Sequence, residues 1–177
     1  ADRPMSVRIS ATDWADGGND VDDAVAIAAA FAERGVEVVN VSSGQVVSDE
    51  KPEFGRSYQT PFADRIRNEV GARYGTAVIA VGAISSHDDV NSVLLAGRAD
   101  LVAIGRTHLY DPQWTLHAAA EQGYVGPGAV WPDQFAAGNR KSPSGRTDGP
   151  PPRLSLVRDG ASGTRHARWT PRPTVPA

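Results

Sequence analysis

The amino-acid sequence predicts a parallel α/β fold, and two patterns within residues 1–124 carry that reading. Short runs rich in β-branched residues alternate with helix-patterned segments in the order strand, helix, four times over. Three of the four strand candidates are almost unbroken apolar runs, the mark of strands buried on both faces in a parallel sheet.

The strand candidates are Ser6 to Ala11, Val36 to Ser42, Ala77 to Ile84 and Asp100 to Gly105. The first helix is expected from Asp20 to Arg34. Asp20 is suited to cap it, Asp22 and Asp23 place negative charge in its first turn, and Gly35 ends it. Thr60-Pro61 opens the second, with proline where its missing N–H costs nothing and Phe62, Ile66 and Val70 on one face. Ser86 caps a third, His87 to Ala96, closed by Gly97, and Asp111-Pro112 opens a fourth that runs to about Gln122.

Right-handed crossovers leave two main architectures for such units: an open doubly wound sheet, or part of a (β/α)8 barrel. Each strand runs into a polar or glycine-bearing loop, namely Ser10 to Trp14, Ser42 to Gln45, Gly82 to Ser86 and Gly105 to His108. Barrel active sites are built from the C-terminal ends of strands, which favours the barrel. Four units are half of eight, so the body is expected to be a half-barrel.

The chain has 177 residues, 40% hydrophobic and 22% charged, which fits a globular protein and excludes collagen-like or wholly disordered chains. It has no cysteine, which excludes disulfides, thiolate catalysis and cysteine-held metal clusters. No apolar stretch approaches the roughly 18 residues needed to cross a bilayer, and Ala1-Asp2-Arg3-Pro4 lacks the apolar core of a signal peptide, so a cytoplasmic protein without membrane contact is expected. The net charge of −3 conceals a division. Residues 1–139 carry 10 basic and 19 acidic residues, whereas 140–177 carry 8 basic and 2 acidic ones together with 7 of the 13 prolines. Residues 1–137 are thus expected to form the barrel domain, and 138–177 a disordered, basic, proline-rich tail without the interleaved aromatics of a nucleic-acid surface.

Among residues suited to chemistry, Gly82-Ala83 and Gly105-Arg106 close the last two strands. Glycine lets backbone N–H groups approach an anion, and the arginine adds a fork for a phosphate oxygen. Tight strand-to-helix turns would need the same glycines. Arg8, in the middle of an apolar strand, calls for an anionic ligand or an ion pair with a carboxylate such as Asp13. His87, His108 and His117 are too scattered for a metal site, and Ser42-Ser43-Gly44-Gln45 lacks the nucleophile elbow of acyl transferases. The loop from Val46 to Tyr58, with Phe54 and Arg56 on it and Gln59 following, is long enough to be a binding loop.

Six ordered stretches carry a resemblance: SVRISATDW (6–14), VEVVNVSSGQ (36–45), YQTPFADRIRNE (58–69), AVGAI (80–84), GRADLVAIGR (97–106) and DPQWTLHAA (111–119). They resemble the C-terminal half of the old yellow enzyme family, the FMN-dependent ene-reductases and NADH:flavin oxidoreductases built on a (β/α)8 TIM barrel. Within it, residues 49–69 are most similar to the reductase domain of the bifunctional salicylyl-CoA 5-hydroxylase and 2-aminobenzoyl-CoA monooxygenase/reductase type. The resemblance implies that Arg8 meets the N1/O2 edge of FMN and that Gly82, Ala83, Gly105 and Arg106 hold its phosphate. It also implies that Ser43, Gly44, Tyr58 and Gln59 lie near the flavin or the substrate mouth. NADH or NADPH would be the donor, and an activated alkene, in the finer reading on a CoA-linked ring, the acceptor.

The family's substrate-carbonyl histidines and tyrosine proton donor belong to the N-terminal half, so no catalytic residue is expected here, and a missing barrel half or self-association is implied. Some relatives insert an arginine near the C-terminus into a neighbouring subunit; Gln134-Phe135-Ala136-Ala137 carries none, and Arg140 is the nearest. A phosphate-binding barrel lyase or isomerase, and a non-catalytic flavin-binding remnant, are the alternative readings of the same glycine pairs.

Overall fold

A computed structural model describes residues 3–138, 154–157 and 168–171. These fall into two compact units divided after Ile104. The first holds β1 (Ser6–Ser10), α1 (Val21–Ala32), β2 (Val38–Ser42), α2 (Thr60–Ile66), a π-helical turn (Arg67–Gly71), α3 (Ala72–Tyr74), β3 (Ala77–Ala80), α4 (His87–Leu95) and β4 (Leu101–Val102). The four strands form one parallel sheet in sequential order, β1-β2-β3-β4.

Register assigns the two faces of the sheet. Val7, Ile9, Val39, Val41, Val78 and Ala80 share one face, and that face carries the core together with Ala24 and Ala28 of α1, Ala63 and Ile66 of α2, Val70 and Val93. The alanines of α1 recur every four residues, so one stripe of the helix lies close to the strands. The opposite face carries Ser6, Arg8 and Ser10 of β1, Val38, Asn40 and Ser42 of β2, Ala77 and Ile79 of β3, and Leu101 of β4, all of them half-buried or exposed. Sequential strand order with the helical core on one side is barrel topology; a doubly wound sheet reverses its order and is covered on both sides. The near-continuous apolar runs therefore reflect one buried face and one open face.

The elements end where local chemistry stops them. The 77–84 strand candidate ends at Ala80, because Gly82 (φ +110°) and Ala83 (φ +51°) turn the chain away. The 100–105 candidate is ordered as strand only at Leu101–Val102, where it pairs with β3 alone, although Ala103 N–H still reaches the Ala80 carbonyl at 2.8 Å. Asp20 caps α1 in a reciprocal box with Asp23, as Ser86 does α4 with Asp89. The second helix continues through the π-helical turn to Gly75. Gly71 has no room for a side chain, since a Cβ there would lie 2.9 Å from the Thr76 carbonyl oxygen.

The second unit begins with a helix where the sequence reading placed a loop. Gly105 precedes α5 (Arg106–Tyr110), and α6 (Trp114–Glu121) follows, entered through Asp111, whose carboxylate accepts from Gln113 N–H at 3.0 Å. A short 3-10 helix spans Asp133–Gly138, and β5 (Leu154–Val157) pairs antiparallel with β6 (Arg168–Pro171). The expectation of a disordered tail otherwise falls on residues outside those described, as does Arg140. No helix of the described residues is long and apolar enough to cross a membrane.

Asp89 holds together the α4 entry. Its buried carboxylate accepts from Ser85 N–H (2.9 Å) and Ser86 N–H (3.1 Å) and pairs with the Arg56 guanidinium. Burial opposes its ionisation, but the Ser85 N–H, the Arg56 guanidinium and the Ser86 donors outweigh burial and hold the carboxyl below its ordinary value. Asp89→Asn is expected to destabilise the chain by about 2 kcal/mol in chemical denaturation at neutral pH. A lowered carboxyl contributes stability that is present above the unfolded value of about 4 and is lost as pH falls through the folded value. The gap between Asp89→Asn and the parent chain should therefore be constant above about pH 5 and narrow below about pH 4.

Candidate functional site

The C-terminal ends of β1, β2 and β3 converge into one loop cluster, and hydrogen bonds tie the loops to each other. Ala11 N–H donates to the Ser42 carbonyl at 2.7 Å, and Gly44 N–H is shared between Ser10 Oγ (3.1 Å) and the Thr12 carbonyl (2.9 Å). The loop after β2 folds back over Trp14, whose carbonyl accepts from Lys51 N–H at 2.9 Å and whose ring meets Phe62 edge-on at 5.7 Å. Glu50 caps Gln45 N–H.

Backbone strain concentrates here. The non-glycine residues with positive φ among those described are Trp14, Gln45, Ser57 and Ala83, and all four lie in loops leaving or returning to this end of the sheet. Each such conformation costs about 1 kcal/mol or more and persists only where its surroundings hold it. Gly44 (φ +73°) and Gly82 (φ +110°) add two more turns of the same hand.

Gln59 links the loops after β2 and β3. It is 4% exposed, its Oε1 accepts from Ser43 Oγ at 2.9 Å, and its Nε2 donates to the Val81 carbonyl at 3.1 Å. Its amide lies against Gly82, where a Cβ would fall 2.1 Å from Nε2. Gly82 is therefore bare because Gln59 occupies the space, a reason that spacing alone does not reveal. Beyond it, the N–H groups of Gly82 and Ala83 donate to no atom among the described residues, while the Ala83 carbonyl accepts from Ser57 N–H at 3.4 Å.

Arg8 points away from the apolar core, as the cost of burying a mid-strand arginine requires. It is exposed on the open face of the sheet and donates from Nε to Ser42 Oγ at 3.1 Å. Among the described residues its terminal nitrogens meet no partner, and Asp13, the other partner considered for it, instead accepts from Asn19 N–H at 2.9 Å. Beside Arg8 in register is Asn40, whose buried Oδ1 meets no partner among the described residues. Tyr58 is half-buried and meets Phe54 edge-on at 5.3 Å.

The structure thus brings Ser43, Gln59, Gly82 and Ala83 into one connected group, with Gly44 on the adjoining turn and Arg8 one hydrogen bond from Ser42. Gly105 and Arg106 belong to the second unit, where both are exposed. A Cβ on Gly105 would meet nothing within 4 Å, so packing in the protein does not require its bare backbone. The sequence reading missed two features. His117, read only as one of three scattered histidines, pairs through Nδ1 with Asp111 Oδ2 at 2.6 Å, a link that Asp-x5-His spacing across a helix entry could have suggested. Arg56, read only as part of a loop, is the partner of Asp89. Among the described residues, no group of three or more acidic or histidine side chains could hold a metal ion.

The NADH:flavin oxidoreductase / NADH oxidase family pattern matches residues 1–123. The NADPH dehydrogenase of Listeria innocua serovar 6a is 40% identical over 122 residues, covering 69% of this chain and 35% of that protein. That of Geobacillus thermodenitrificans is 44% identical over 122 residues, covering 69% of this chain and 34% of the relative. The chain spans about a third of the length of these curated relatives. Among solved structures, a 2-naphthoyl-CoA reductase in complex with 2-naphthoyl-CoA aligns with a TM-score of 0.55 at 19% identity, over 70% of this chain and 18% of the other, a likeness of fold. The family match runs through every strand of the parallel sheet and through α5 and α6, so this chain belongs to the NADH:flavin oxidoreductase / NADH oxidase family.

Proposed function

We propose that this chain supplies the phosphate and ring-edge side of an FMN site in an NAD(P)H-dependent flavin oxidoreductase. The observation that carries the reading is the pair of backbone donors at Gly82 and Ala83 that meet no acceptor among the described residues, held at positive φ at the end of β3 within a chain of this family. Adjacent N–H groups in such turns form a concavity suited to an anion. The residues present fit FMN: two N–H groups for phosphate and an exposed arginine on the open sheet face, whose terminal nitrogens, like those N–H groups, meet no partner among the described residues.

On this reading, Gly82 and Ala83 donate to the phosphate; in the second unit, taken by itself, Gly105 offers a bare backbone and Arg106 a guanidinium suited to an anion. Arg8, oriented through Nε by Ser42, presents its terminal nitrogens to the N1/O2 edge and favours the negative charge that develops there on reduction. Ser43, Gly44 and Tyr58 border the substrate mouth, with Gln59 behind them, and the 46–58 loop closes it. Bound FMN supplies hydride transfer from NADH or NADPH to an acceptor. For the acceptor we favour an activated alkene. A CoA-linked ring is the finer reading, supported by the similarity of residues 49–69 to CoA-ester reductase domains and by the fold shared with a reductase of a CoA thioester. The open face and the edge strands β1 and β4 would pair with complementary barrel strands or with a second copy.

Two variants test the assignment. In fluorescence titrations, Arg106→Ala is expected to weaken FMN binding by about tenfold or more, the loss of one charge-assisted contact. Unchanged affinity would remove Arg106 from the site. Arg8→Ala is expected to lower the midpoint potential of bound FMN by about 30 mV, because the reduced ring edge loses its counter-charge. A potential equal to the parent's would place Arg8 elsewhere.

A further inference from the structure

We infer that Gln59 is a positioning residue: it sets the height and direction of the Gly82-Ala83 N–H pair without touching ligand itself. This rests on the assignment of that pair to the FMN phosphate. The resemblance implies a Gln59 near the flavin or substrate, but its amide is buried and engaged at both atoms within the protein. Oε1 is taken by the Ser43 hydroxyl, Nε2 by the Val81 carbonyl, and the side chain is 4% exposed.

Each contact bears on the same turn. The Val81 carbonyl belongs to the peptide unit whose N–H is that of Gly82, so a donor on that oxygen fixes the plane in which the Gly82 N–H points. The amide also lies against the Gly82 Cα, filling the space of a Cβ, and so braces the positive-φ turn from behind. Through Ser43 it ties that turn to the loop after β2, and through its place directly before α2 to the helix whose Thr60, Ala63 and Ile66 are buried. Ser57 N–H, two residues earlier, reaches the Ala83 carbonyl at 3.4 Å, so one short segment holds the peptide units on either side of the one that carries the Ala83 N–H. Glycine adopts the positive φ of position 82 without penalty, but Ala83 (φ +51°) would otherwise relax toward negative φ and turn the N–H pair away.

A general loss of stability would weaken every flavin alike, whereas a misdirected N–H pair weakens only ligands that carry the phosphate. The test therefore compares FMN with riboflavin, which lacks that phosphate, on the full chain. The parent chain is expected to prefer FMN by about a hundredfold, and Gln59→Leu to reduce that preference to about tenfold or less while changing riboflavin affinity less than threefold. Ser43→Ala, which removes one of the two amide contacts, serves if Gln59→Leu does not fold, and should reduce the preference by about threefold. A parent chain that binds both flavins equally would overturn the phosphate assignment itself. A parent that prefers FMN, with variants that prefer it to the same extent, would overturn only the role given to Gln59.

Discussion

The architecture depends on burying one face of a four-stranded parallel sheet and leaving the other open. Val39, Val41, Val78 and Ala80 are fully buried against small and branched residues of α1, α2 and α4, and this packing fixes the register of every strand. Because side chains alternate across a strand, the same register sends Arg8, Asn40 and Ser42 to the other side. A one-residue slip would place an arginine in the core and the valines in water. The polar face is thus a consequence of how the apolar face packs.

The same packing determines where strain can be kept. Left-handed backbone at Trp14, Gln45, Ser57 and Ala83 is tolerable because the loops are anchored at both ends, to strands with a common core and to each other through Gly44, Gln59 and the Arg56–Asp89 pair. Among the described residues, hydrogen bonds that ordinary turns would make are left unmade by the N–H groups of Gly82 and Ala83. Unmade backbone bonds beside an open polar face are where a ligand contributes most, since it satisfies groups that the protein cannot.

Much of this was legible in the sequence. Capping chemistry marked Asp20 and Ser86, the Thr60-Pro61 start was read correctly, and six motifs gave the family that the comparison establishes. What escaped reading was long-range or conformational. Apolar runs do not tell one buried face from two, so the expectation of strands buried on both faces fails for the face that carries Arg8: periodicity reports hydrophobicity, and only register reports which side is covered. The helix at Arg106–Tyr110 lacks an apolar stripe long enough to announce itself. Gly82 looked like a phosphate glycine and is bare for another reason as well, the amide of a residue 23 positions earlier. Spacing could not show that, because the contact exists only once β2, β3 and α2 have met.

The central claim is that the N–H groups of Gly82 and Ala83 face an anion. It is tested most directly by following their amide proton and nitrogen resonances in the 18.7 kDa chain as FMN is added. The account predicts that both resonances move downfield and saturate together with FMN binding, as N–H groups do on donating to a phosphate oxygen. Saturable binding that leaves both amides unmoved while resonances elsewhere in the chain shift would contradict it.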